Sequence, residues 1–142
     1  MIDAIDVDIY GRSVTFLVEI TPEEFDRFYY DNVTRITDEE YRDIREDILN
    51  WKEVGGNTCT LDSGLYLVYL RNGRSDECVP HEILHVCNCI LYDAGVTYDR
   101  TAEPWAYLVG WMTDKYYRKY WDWVDKVEEE NKKSKKNKKK KR

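Results

Sequence analysis

The sequence predicts an α+β fold in which a small antiparallel sheet packs on helices. Three observations predict it. Period-two apolar patterns occupy residues 2–20 and 58–70, two capping boxes open amphipathic segments, and two longer helical patterns fill the second half. At 142 residues, with 42% apolar and 14% aromatic side chains, the chain has the size and composition of one folded domain with a modest core.

Taken in order, Val7, Ile9, Val14, Phe16, Val18 and Ile20 alternate around Gly11-Arg12 and read as a β-hairpin or two short strands. Thr21-Pro22-Glu23-Glu24 supplies an N-cap, a proline at the first helical position and a capping-box acid. The helix it opens would bury Phe25, Phe28 and Tyr29. A second capping box, Thr37-Asp38-Glu39-Glu40, opens a helix with Tyr41, Ile44, Ile48 and Trp51 on one face. Gly55-Gly56 ends that helix. Residues 58–61 and 65–70 then form a hairpin across Asp62-Ser63-Gly64, and Asn72-Gly73 makes a further turn.

Pro80 starts a helix running to about Ala94, with Gly95 as the residue that closes it. Thr101 caps the last and longest helix, which extends to about Val127. Its apolar stripe is Trp105, Leu108, Met112, Tyr116, Tyr120, Trp123 and Val127, spaced by threes and fours. Trp121 falls off that stripe and is a candidate for a partner surface.

The net charge of −6 conceals a split. Residues 132–142, opened by Lys132 and closed by Arg142, carry nine basic side chains and no acid, which leaves a body of charge −15. With nothing apolar to bury, the tail is expected to be disordered, a solubilising segment or a weak, nonspecific contact for nucleic acid through counterion release. No run approaches the ~20 apolar residues of a membrane helix. The first residues show no secretory pattern, so the expectation is a cytoplasmic protein with no membrane partner. Cys59, Cys78, Cys87 and Cys89 are then reduced thiols, and they include no Cys-x-x-Cys pair of the kind that builds a structural zinc site.

The chemistry concentrates in His81-Glu82-Ile83-Leu84-His85. Histidines four apart on a helix project from one face and can share a tetrahedral Zn²⁺. Glu82 lies about 100° further round the helix, too far to join them as a ligand but placed to reach a water on the metal as general base. The competing reading is a surface helix with two incidental histidines. These are the only histidines in the chain, so a three-histidine site is ruled out. Cys89 shares their face but lies about 12 Å along the axis from His81, and reads better as a small buried thiol. A carboxylate remains as third ligand: Glu103 in the first turn of the last helix, or Asp99 in the loop before it. Asp93 points away from the histidine face.

The motif and the glutamate on the following helix resemble the zincin metallopeptidases of the gluzincin kind. They are similar in particular to short proteins of unassigned function encoded by tailed phages. The resemblance covers about residues 65–112. It rests on the His-Glu-x-x-His helix, the Gly95-Val96 turn and Glu103-Pro104-Trp105-Ala106-Tyr107-Leu108. It implies a minimal zincin-like fold over residues 1–130, followed by the tail at 131–142, and host cytoplasm as the location of a phage-encoded chain. It implies Zn²⁺ held by His81, His85 and Glu103, with Glu82 as general base acting on a peptide or protein substrate. It also implies an upstream edge strand that pairs with the substrate, a role that residues 65–70 would take. Many gluzincins add a histidine or tyrosine at the oxyanion. Here Tyr107, one turn beyond Glu103, is either that phenol donor or a core aromatic.

Three functions follow. The first is a zinc peptidase. The second is a non-catalytic, zinc-stabilised interaction module whose tail contacts nucleic acid. The third is a hydrolase of a non-peptide amide such as a cell-wall crosslink.

Overall fold

A computed structural model describes residues 1–51, 55–97 and 103–140, the last four of them by backbone alone. The chain is α+β, a four-stranded mixed sheet with two helices on each face. Strand β1 (Ile2–Val7) turns through a single 3-10 turn and Gly11 into β2 (Arg12–Val18). Gly11 has φ 59°, the left-handed conformation a glycine adopts without cost. Helices α1 (Pro22–Asp31) and α2 (Asp38–Leu49) each begin on the capping box their sequence announces: Thr21 with Glu24, and Thr37 with Glu40. The predicted apolar faces are seen as well. Phe25, Ile44 and Ile48 are buried, with Phe28, Tyr29, Tyr41 and Trp51 packed around them.

β3 (Gly56–Thr60) and β4 (Tyr66–Leu70) form the second hairpin. The sheet is not the purely antiparallel one expected. Its order is β1-β2-β4-β3, and β2 pairs with β4 in parallel. Each hairpin is antiparallel, but α1 and α2 carry the chain back before the second begins, so the two hairpins join side by side through strands that run the same way. Period-two patterning marks the face a side chain takes and not the direction of the neighbouring strand.

The arrangement overturns one assignment. Residues 65–70 are not an edge. Tyr66, Val68 and Leu70 pack toward the last two helices while Leu65, Leu67 and Tyr69 pack toward α1 and α2, so every residue of β4 is buried. An unbroken apolar run marks a strand covered on both faces. The free edges belong to β1 and β3.

α3 (Cys78–Asp93) starts two residues before Pro80, which therefore sits in the first turn, where its missing N–H costs nothing. Ser75 Oγ receives the Cys78 N–H at 3.0 Å. The helix ends in a Schellman turn: Gly95 at φ 72°, with Gly95 N–H on Tyr92 C=O and Val96 N–H on Leu91 C=O, each 2.9 Å. The predicted cap at Thr101 lies outside the described residues. α4 (Glu103–Lys140) buries Leu108, Met112, Tyr116 and Tyr120 of the predicted stripe. It is longer than expected, since the basic segment continues the helix to Lys140. Lysine is a good helix former, and Glu128–Lys132 and Glu129–Lys133 pairs carry the helix into the tail at 3.5 and 3.8 Å. No helix among the described residues is long and apolar enough to cross a membrane.

Candidate metal centre

The packing of α3 on the β3 edge builds the centre. Val79, Ile83, Val86, Cys87 and Ile90 face the core and fix the helix rotation. That rotation leaves His81 and His85 exposed, one turn apart, and turns Glu82 inward against β3. Two glycines let the strand approach. A Cβ on Gly56 would stand 3.2 Å from Glu82 Cγ and 2.9 Å from Leu70, and a Cβ on Gly55 would meet Cys78 Sγ at 2.7 Å. The glycine pair read as a helix stop is therefore also the place where the strand passes over the catalytic candidate.

Glu82 is the only buried charged residue among those described, at 5% exposure. Thr58 Oγ1 lies 2.7 Å from Glu82 Oε2 and 3.1 Å from the Glu82 backbone carbonyl, so its single proton anchors this residue from the strand. The other carboxylate oxygen, Oε1, is 4.0 Å from His81 Nε2. The two imidazoles meet edge to face, with Nε2 atoms 3.0 Å apart. Two nitrogens on one tetrahedral zinc, each at ~2.0–2.1 Å, are separated by about 3.3 Å. The pair thus fits a shared Zn²⁺ with a small opening of the rings, and Glu82 Oε1 stands beside it rather than on it.

The rest of the predicted constellation is not gathered there. Among the described residues no three His, Cys, Asp or Glu side chains group as a metal site. Glu103 is exposed in the first turn of α4. Two residues on, Trp105 lies with Asn88, Cys89, Tyr92 and Asp93, at the C-terminal half of α3. His85 is about 10 Å and His81 about 16 Å down the axis from Tyr92. Glu103 thus begins beside the wrong end of the helix. Asp99 lies outside the described residues.

Tyr107 is also elsewhere. It is exposed and lines a cavity with Val7, Tyr10 and Trp111 by the β1 edge, whereas Glu82 bonds to β3 at the opposite edge. Three strand spacings separate those edges, about 14 Å, so Tyr107 is not an oxyanion donor in this arrangement.

Of the other candidates, Cys89 is half-buried and packs against the core, in line with its reading as a packed thiol. Burial pushes the Cys59 and Cys87 thiols up to about 12, which leaves them inert. Asp93, exposed as expected, receives the Tyr66 hydroxyl at 2.5 Å. Trp121 is exposed and carries the Arg74 guanidinium 5.0 Å over its ring. Sequence reasoning missed Thr58 and Gly56. The available signal was the hairpin alternation, which puts residues 56, 58 and 60 on the face that looks toward α3.

Comparison with models of known protein families gives no match, and neither curated proteins nor solved structures match the chain. The reading of the site rests on its own residues.

Proposed function

We propose that the chain is a metal-dependent hydrolase of the His-Glu-x-x-His type, acting on a peptide bond. The observation that carries the proposal is the juxtaposition of two imidazole nitrogens 3.0 Å apart with a buried carboxylate held in place by a strand hydroxyl. His81 and His85 would hold Zn²⁺, which when bound supplies a Lewis acid and lowers the pKa of a water. Glu82 Oε1, the oxygen not engaged by Thr58, takes the proton of the attacking water and returns it to the leaving amine. Thr58 keeps that carboxylate from swinging away between the two transfers. The substrate strand would run along β3, the edge beside the histidines, in place of the interior β4.

The test is elemental analysis of protein purified without chelator, then turnover of a quenched-fluorescent peptide library. One zinc per chain with cleavage abolished in Glu82→Gln, zinc retained, is the expected result. Absence of stoichiometric zinc, or full activity in that variant, overturns the reading.

A second reading is favoured by the ungathered third ligand and by the basic helical arm beyond residue 131. It is a non-catalytic zinc-binding module whose arm contacts nucleic-acid phosphates. It expects zinc binding without cleavage, and salt-sensitive duplex binding lost on removing residues 132–142. Retention of that binding after the deletion overturns it.

A further inference from the structure

A groove lies along the C-terminal half of α3, beginning at Asn88, about one turn beyond His85. On the helix surface His81, His85, Asn88 and Tyr92 fall within about 60° of one another, with Cys89 just beyond. Asn88, Cys89 and Tyr92 line the groove with Thr60, Val96 and Trp105. Thr60 belongs to β3, so one rim of the groove is the free edge of the sheet.

The hydrogen-bond alternation of that edge can be derived. Leu61 N–H donates to Leu65 C=O at 2.9 Å and Arg71 N–H to Gly55 C=O at 3.0 Å, which fixes the bonded pairs of the β3–β4 ladder. Asn57 and Cys59 then face β4, and Gly56, Thr58 and Thr60 turn their N–H and C=O groups outward. The Thr58 N–H is already taken by Asn57 Oδ1 at 2.8 Å, and Asn57 Nδ2 is held by Asp47 Oδ2 at 3.3 Å. Thr60, at the groove, keeps both outward groups for a docking strand.

We infer that this groove takes an aromatic or large aliphatic side chain of an extended polypeptide, two residues N-terminal to the residue that lies over the histidines. This rests on the peptidase reading of the site. A residue that exchanges both backbone hydrogen bonds with Thr60 shares the sheet face of Thr60, and its side chain enters the groove. Two positions along, the next residue on that face lies opposite Thr58, whose hydroxyl holds Glu82. Antiparallel pairing is the stronger mode, so the groove lies on the N-terminal side of the bond to be cut. The occupant is a polypeptide because the site offers an outward N–H and C=O beside an apolar wall, the two features an extended chain satisfies together.

The test uses full-length Glu82→Gln protein loaded with zinc and labelled with ¹⁵N, titrated with acetylated, amidated Ala-Ala-Phe-Ala-Ala-Ala and with hexa-alanine. The phenylalanine peptide should bind about tenfold tighter and shift the amides of Thr60, Cys89 and Val96. Tyr92→Ala, at a residue 82% exposed and so dispensable for folding, should bring the ratio within about threefold. Equal affinities, or shifts confined to other residues, overturn the inference. In the wild type, phenylalanine walked through a quenched-fluorescent alanine peptide should direct cleavage two or three residues to its C-terminal side. Cleavage N-terminal to it overturns the register. If nothing is cut yet the phenylalanine peptide still occupies the groove, the peptidase reading fails and the groove stands.

Discussion

Thr58→Val removes one hydroxyl while keeping the shape of the side chain, and it isolates the contact on which the proposed chemistry depends. The hydroxyl lies 2.7 Å from a carboxylate that is 5% exposed. A hydrogen bond to a charged group contributes about 1.5–3 kcal/mol, and water cannot readily replace it at a buried oxygen. A loss of about 2 kcal/mol is expected. With an unfolding entropy of ~2.1 cal/mol/K per residue, that is a fall of about 7 °C in Tm for a chain of this size. The same substitution in Glu82→Gln breaks only a neutral bond and should cost about 1 kcal/mol. The assay is a four-protein cycle by thermal and urea unfolding, with chelator present so that metal binding does not enter the comparison. Equal losses in the two backgrounds would mean that the hydroxyl does not sense the charge on Glu82, and the positioning argument would fall with it.

Gly73→Ala should destabilise by about 1–3 kcal/mol in urea melts, because its Cβ would stand 2.2 Å from the buried Tyr120 ring, with no room to repack. Asp26 accepts from Arg45 at 2.7 and 3.1 Å and from the Tyr41 hydroxyl at 2.8 Å, and the Arg45 guanidinium holds its carboxyl below the usual aspartate range. A depressed carboxyl stabilises above the unfolded pKa and loses that contribution as pH falls through the folded one. Asp26→Asn should therefore cost up to about 1 kcal/mol at pH 7, with the gap closing below about pH 4. Glu103→Gln should change zinc affinity, measured by competition with a chelating dye, by less than about threefold, whereas His81→Ala should lower it by about a hundredfold or more. A comparable loss in both would mean that the first turn of α4 reaches the histidines after all.

Local signals in the sequence proved easy to read. Thr21 and Thr37 start their helices because a side-chain oxygen and an acid three residues on satisfy the first orphan N–H groups, and Gly95 stops α3 because it adopts the left-handed turn. The His81–His85 pair was legible because a helix imposes its own spacing. Non-local placement was not legible. The parallel β2–β4 contact depends on how two helices return the chain, which no strand pattern encodes. The level at which the last helix begins was not legible either: the first turns of α4 lie beside Cys89 and Tyr92 rather than beside His81, and no local pattern in the sequence marks that level. Tyr107 illustrates the same limit, for one turn along α4 from Glu103 put it on an exposed face near β1 and not near the histidines.

The energetics of Glu82 bear on function as strongly as its geometry. Its neighbours on α3, Val79, Ile83 and Val86, are fully buried, and the position is one that an apolar side chain would fill at lower cost. Even a buried ion pair can often be replaced by well-packed apolar residues of similar volume at no loss of stability, and Glu82 has only a neutral hydroxyl to offset its desolvation. Thr58 would not be stranded by such a change, since its hydroxyl is also 3.1 Å from the Glu82 carbonyl. Glu82→Met should accordingly unfold at the same or a higher urea concentration than the wild type, while losing any hydrolytic activity that zinc supports. That result would leave the acid without a structural reason to exist, and its explanation would lie in what its second oxygen faces, which is His81. A clear loss of stability in Glu82→Met would give the carboxylate a structural reason to exist and would remove this support for catalysis.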